Sequence, residues 1–210
     1  MSGKNRGSWL AVIILVIALL ILSYLFVAMR SVFDDARAVG RDATAVKNTL
    51  LLKKLVLEMQ SSKRGFMLSG EEEFLEPYIA AENEFGMVID AELSAEKSVA
   101  RRAQFERIQQ LMEQWVRESA RPEIQRRRDV NIGRANLGEL ELMARSHVGD
   151  DIMEQVRIEL RKLSTSDEQQ LAEKFAKLER QAENLKLVLA ALVGMVVLGF
   201  AGLLYKRFVR

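Results

Sequence analysis

The chain contains no cysteine, so it holds no disulfide and no thiolate metal site, and cysteine usage says nothing about its redox compartment. His147 is the single histidine among 210 residues. It has no second ring or thiolate with which to share a metal and no serine beside an acid, so a helix-end role is expected of it. There is no Gly-x-Gly-x-x-Gly, no Gly-x-x-x-x-Gly-Lys, no His-Glu-x-x-His and no nucleophile elbow. Adjacent carboxylates do occur, at Glu71, Glu72 and Glu73, but with no companion base, metal ligand or oxyanion donor near them. No enzymatic activity, cofactor or metal is therefore expected. A formal net charge of +2 gives no case for nucleic acid.

Charge is also missing from two places. Trp9 to Met29 is an uncharged run of 21 residues and Leu187 to Tyr205 one of 19. Each is close to the ~20 residues that carry a helix across a bilayer. Neither contains an ionisable side chain of the kind that marks an ion pathway. Every Asp and Glu lies between the runs. The flanks carry Lys4, Arg6, Lys206, Arg207 and Arg210 and no acid, so removing these five cations from the total of +2 leaves the middle at −3. Basic residues beside a span stay cytoplasmic. Two spans then place both termini in the cytoplasm and the middle outside the cytoplasmic membrane, periplasmic or extracellular. The first run is longer than a signal-peptide core, and Ala28-Met29-Arg30 is a poor cleavage site, so a retained anchor is expected. Trp9 and Tyr205 stand at the outer ends of the runs, where amphipathic rings favour the interface. The expected organisation is a leader at 1–8, transmembrane helices at 9–29 and 187–205, an extracytoplasmic helical domain at 30–186 and a stub at 206–210.

Helical spacing dominates the middle. A first helix is expected over 9–69, with roughly 60 Å of it beyond Arg30. Val39, Ala43, Val46, Leu50, Lys53, Leu57, Gln60, Arg64 and Met67 alternate at four and three along it, a bundle or coiled-coil seam. Lys53, Gln60 and Arg64 are its polar members. Either Lys53 snorkels and the other two face water or partners near the tip, or the three form a ligand-facing layer. A second helix is expected over 75–95, with Tyr78, Ala81, Phe85, Val88, Ile89 and Leu93 on its apolar face. Ser94 offers an N-cap for a third, lined by Phe105, Ile108, Leu111, Met112, Trp115 and Val116. Pro122 kinks or ends it, with an immediate restart. Arg126, Arg127 and Arg128 read as a solvated face. A short helix carries Leu137, Leu140, Leu142 and Met143 and holds His147 in its last turn. Asp150 or Asp151 caps the last helix, lined by Ile152, Val156, Leu160 and Leu163. The apolar seam slips over the polar stretch 164–170, then resumes at Leu171, Phe175, Leu178, Ala182 and Leu185 and continues into the second apolar run.

The chain is organised around Lys63 to Tyr78. Ser69-Gly70 is a helix stop, the three glutamates suit the positive end of a returning helix, and Pro77 belongs to a first turn. The bland reading is an ordinary helix hairpin. Arg64-Gly65-Phe66-Met67-Leu68-Ser69-Gly70, followed by Phe74-Leu75-Glu76-Pro77-Tyr78, resembles the turn motif of the CHASE3 family of bacterial receptors, and Arg121-Pro122-Glu123-Ile124 is similar to a later family segment. The resemblance covers about 40–183. It implies an all-α fold, an antiparallel four-helix-type bundle flanked by two transmembrane helices. Under it, Arg64, Gly65, Phe66, Leu68, Gly70, Phe74, Leu75, Pro77 and Tyr78 are a candidate sensory turn motif.

Two functions are open. One is an extracytoplasmic input module that passes a conformational change through the second span to a cytoplasmic output domain outside this sequence. The other is a stand-alone, doubly anchored adaptor. The expected partners are the bilayer, a second copy in a homodimer and an unidentified ligand or protein.

Overall fold

A computed structural model describes the backbone of residues 4–145 and 147–208, and the side chains of these apart from 4–15, 18, 144, 200, 203, 204, 206 and 207. Among the described residues every regular element is helical. α1 (Lys4–Ser69) is followed by a 3₁₀ turn (Glu72–Phe74), α2 (Leu75–Ala95), α3 (Val99–Trp115), a π segment (Val116–Ala120), α4 (Arg121–Asn131), α5 (Leu137–Arg145) and α6 (Val148–Phe208). The leader expected at 1–8 is already helical from Lys4. The chain forms two compact units, Thr44–Gln169 and the pair Met1–Ala43 with Gln170–Arg210.

In the Thr44–Gln169 unit four helical arms close one core. α1 supplies Leu52, Leu55, Val56, Met59 and Phe66, and α2 supplies Leu75, Tyr78, Ala81, Phe85 and Ile89. Phe105, Ile108, Leu111, Met112, Trp115, Val116, Ala120 and Ile124 come from a third arm made of α3, the π segment and α4, and Ile152, Met153, Val156, Leu160 and Leu163 from α6. Trp115, Phe66 and Phe105 are fully buried; truncating any one to alanine is worth about 3–5 kcal/mol.

The seam on α1 keeps Val39 and Met67 inward as expected, but between them it is one residue out of step with the expected one. Leu50 and Leu57 are 50% and 66% exposed, and Leu52, Val56, Met59, Ser62 and Phe66 face inward instead. A shift of one residue is a rotation of ~100°. Both stripes carry large apolar residues, but the expected one also carries Lys53 and Arg64. The buried face has one cation, Lys63, paired with Glu123 at 2.7 Å, so burying it avoids desolvating two charges that, among the described residues, have no such partner.

Local capping differs at three further points. Ser94 lies inside α2, its hydroxyl donating to Asp90 O, and the N-cap of α3 is Ser98, whose Oγ accepts from Arg101 N–H at 3.4 Å. Pro122 neither ends nor breaks the third arm. It lacks the N–H that would bond the carbonyl of residue 118, and the helix widens just before it, with Arg121 N–H reaching Val116 O. Pro122 then falls in the first turn of α4, the restart its sequence suggests. His147 lies outside α5, in the left-handed region at φ 56, and Asp150 and Asp151 lie within the first turn of α6 rather than capping it. Asp151 N–H instead bonds His147 O at 3.0 Å.

The polar stretch where the seam slips has an inward purpose. Asp167 is 3% exposed and accepts from Thr49 Oγ1 at 2.7 Å. Arg101 reaches it with both terminal nitrogens, one at 3.1 Å, and holds Glu96 at 2.9 Å through Nε. A buried carboxylate is thus shared by α1, α3 and α6.

The other unit pairs the outer stretches of α1 and α6 through Lys177–Asp35 at 3.0 Å and Lys174–Asp42 at 2.5 Å. Leu171, Leu178, Ala182 and Leu185 are half-buried there, whereas Phe175 is 54% exposed. Among the described residues, the stretch Leu137–Gly199 holds a window of mean hydropathy 1.7, long and apolar enough to cross a membrane and unburied by protein. The first apolar run is helical as part of α1, but its side chains at 9–15 and 18 lie outside the described residues.

Candidate functional site

The turn motif mostly builds the hairpin. Gly70 closes α1 in the left-handed region at φ 78, its N–H bonded to Phe66 O at 2.8 Å. Asn131 Nδ2 donates to Gly70 O at 2.7 Å, joining the end of the third arm to the turn. Arg128 forks onto both oxygens of Glu72 at 2.8 and 2.7 Å. Those bonds hold the Glu72 carboxyl below its usual range. Gly65 has a steric reason: a Cβ there would lie 2.4 Å from Cδ1 of Phe74, so only glycine lets that ring cross α1. Phe66, Leu75 and Tyr78 are core residues and Pro77 sits in the first turn of α2. Burial pushes the Tyr78 phenol above its ordinary pKa. Arg64 and Leu68 have no such internal task. Both are exposed, and both line a cleft.

That cleft encloses about 300 Å³ between α1, the π segment and the start of α6. Gln60, Lys63, Arg64, Met67 and Leu68 come from α1, Trp115, Ser119 and Glu123 from the third arm, and Met143, His147, Gly149 and Asp150 from the α5–α6 side. Its floor is a charged triangle. Lys63 Nζ donates to Glu123 Oε2 at 2.7 Å and to Ser119 Oγ at 3.3 Å, and the Ser119 hydroxyl donates to the other Glu123 oxygen. The Lys63 and Glu123 side chains are 15% and 14% exposed, so this pair is screened far less than the surface ones. The Lys63 ammonium also lies 5.2 Å from the Trp115 ring centroid, within cation–π reach.

The π segment and Gly149 shape the cleft. A Cβ on Gly149 would fall 2.2 Å from Ser119 Oγ, so glycine is what admits the first turn of α6 against the widened helix. His147 Nδ1 stands 3.5 Å from an Asp150 carboxylate oxygen. Val116 and Arg117 of the π segment also line a second cleft, of about 350 Å³, with Met59, Glu82, Gly86 and Arg121.

Of the polar seam, the fold brings Gln60 and Arg64 to the cleft and leaves Lys53 outside it. Sequence reasoning missed Lys63, Ser119 and Glu123, which stand far apart in the chain with no local pattern linking them. It also set His147 aside. The one legible signal was Pro122, which marks the helix distortion that presents Ser119. Among the described residues no group of side chains is arranged to hold a metal ion.

The CHASE3 domain model matches residues 35–177, more than half of the chain and close to the 40–183 expected from the turn motif. No curated protein and no solved structure matches.

Proposed function

The chain belongs to the CHASE3 family, a sensory domain of signalling receptors, and on that premise we propose that it is the extracytoplasmic input module of a bacterial transmembrane receptor. Occupancy of the cleft biases two packings of the Thr44–Gln169 unit, and α6 reports the difference to a cytoplasmic output domain. Such a bias needs differential affinity for the two packings. One observation carries the reading: α6 is unbroken from Val148 to Phe208, so the helix whose first turn lines the cleft is also the helix with the apolar window. In this reading both apolar runs cross the membrane and both basic flanks face the cytoplasm. The outward stripe of α1, with Leu50 and Leu57 exposed, meets a second copy in a homodimer.

The test is register. With a histidine-kinase output module fused after Arg210, inserting one residue between Glu183 and Leu187 rotates everything downstream by ~100°. Kinase output is expected to lock high or low, and inserting a heptad is expected to restore regulation. Output indifferent to the single insertion refutes transmission through α6 and leaves the doubly anchored adaptor as the account of the chain.

A further inference from the structure

The geometry points to the class of molecule the cleft takes: a small zwitterion with an apolar body, of the α-amino acid kind. The inference rests on the reading of this cleft as the sensory site. Its charges divide into those already matched and those not. Lys63 is matched, held by Glu123 and Ser119 and lying against Trp115. Arg64 is not: among the described residues it has no carboxylate partner, although neighbouring arginines of the third arm, Arg126 and Arg128, each hold a glutamate. On the acidic side Glu123 is matched by Lys63, while among the described residues Asp150 is paired with a histidine ring at 3.5 Å, which carries charge only when protonated. One fork-shaped cation and one carboxylate thus remain in the lining of the same cleft. A ligand carboxylate suits the planar guanidinium, and a ligand ammonium suits Asp150.

The remaining lining is apolar. Met67, Leu68 and Met143 stand beside the buried Trp115, and thioether side chains adapt to varied ligand shapes. A purely anionic ligand would leave Asp150 facing like charge. A purely cationic one would meet Arg64. The zwitterion alone matches both, and a side chain of leucine or phenylalanine size fits about 300 Å³.

The experiment uses the full chain carrying Trp9→Phe in nanodiscs, so that Trp115 is the sole tryptophan, excited beyond the absorption band of the tyrosines. L-Phenylalanine, 3-phenylpropionate and phenethylamine are titrated separately. Expected is a saturable change in Trp115 emission with L-phenylalanine at millimolar concentration or below, and binding weaker by about tenfold or more for the two partial analogues. Arg64→Gln is expected to weaken L-phenylalanine about tenfold and not to weaken phenethylamine, and Asp150→Asn to weaken L-phenylalanine about tenfold and not to weaken 3-phenylpropionate. Both side chains are exposed, so neither variant threatens folding. No saturable response to L-phenylalanine, or equal affinity for either partial analogue, overturns the inference. The register insertion scores the sensory reading independently, because it needs no ligand.

Discussion

Removing the carboxylate of Asp167 tests whether a polar layer locks α6 to α1 and α3 where its apolar seam slips. Asp167→Leu is close in volume but accepts nothing. It leaves the Thr49 hydroxyl, 1% exposed, without its acceptor, and takes from Arg101 the partner that both terminal nitrogens hold. An orphaned buried hydroxyl costs about 1–3 kcal/mol. Breaking a buried ion pair from one side costs about 3–5 kcal/mol. Arg101 keeps Glu96 at 2.9 Å and a side chain 17% exposed, so its share falls below that range. Together the loss is about 3 kcal/mol, or roughly 10 °C in melting temperature for a domain of this size. The assay is thermal and urea unfolding of the full chain in detergent, followed by far-UV circular dichroism. The companion variant, Thr49→Val with Arg101→Met and Asp167→Leu, removes the three groups that meet at Asp167 and should recover part of the loss; Glu96 loses Arg101 but keeps Ser98 N–H at 2.7 Å and a side chain 18% exposed. A single variant within about 0.5 kcal/mol of the parent would place Asp167 with ordinary surface positions. A triple variant no better than the single would show that the penalty is not one of orphaned partners. Either result refutes the reasoning.

Three further outcomes are expected. Gly65→Ala should destabilise by about 1–3 kcal/mol through the clash with the Phe74 ring, and Phe74→Ala should cost less in the Gly65→Ala background than alone, read from paired melts; additive costs would deny the contact. The Arg128 fork lowers the Glu72 pKa, so its contribution to stability is present above the ordinary value of 4.5 and is lost as pH falls through the lower folded-state value. Carboxyl NMR should find the Glu72 midpoint below 4.5, and Arg128→Gln should return it toward that value. Leu57→Cys introduces the sole thiol and should react with a membrane-impermeant maleimide in intact cells and form a disulfide dimer on oxidation. Labelling only after permeabilisation contradicts the topology, and failure to crosslink contradicts the α1 pairing.

The hairpin at Gly70 and the start of α2 at Leu75 were legible because they rest on backbone chemistry that single residues impose. Glycine takes positive φ at little cost, and proline is tolerated in a first turn. The core of α2, α3 and early α6 was legible from its 3.6-residue period. The α1 seam was not, because two adjacent stripes both carry large apolar residues and only the neighbours decide which faces in. The cleft was half legible. Arg64 stood out through the motif, but Lys63, Ser119 and Glu123 meet across the interior with no pattern joining them.

What the sequence determined by itself is what depends on local or one-dimensional properties: helices, uncharged runs long enough to span a bilayer, and a sharp turn at Gly70. What the tertiary structure alone decided is every matter of pairing. It chose for the core the stripe of α1 whose one cation, Lys63, finds a carboxylate, turned Asp167 inward to meet Arg101, and widened the helix before Pro122 so that Ser119 reaches Gly149. Those outcomes depend on the free energy of groups distant in the chain meeting or being buried, and no window of neighbouring residues contains both partners.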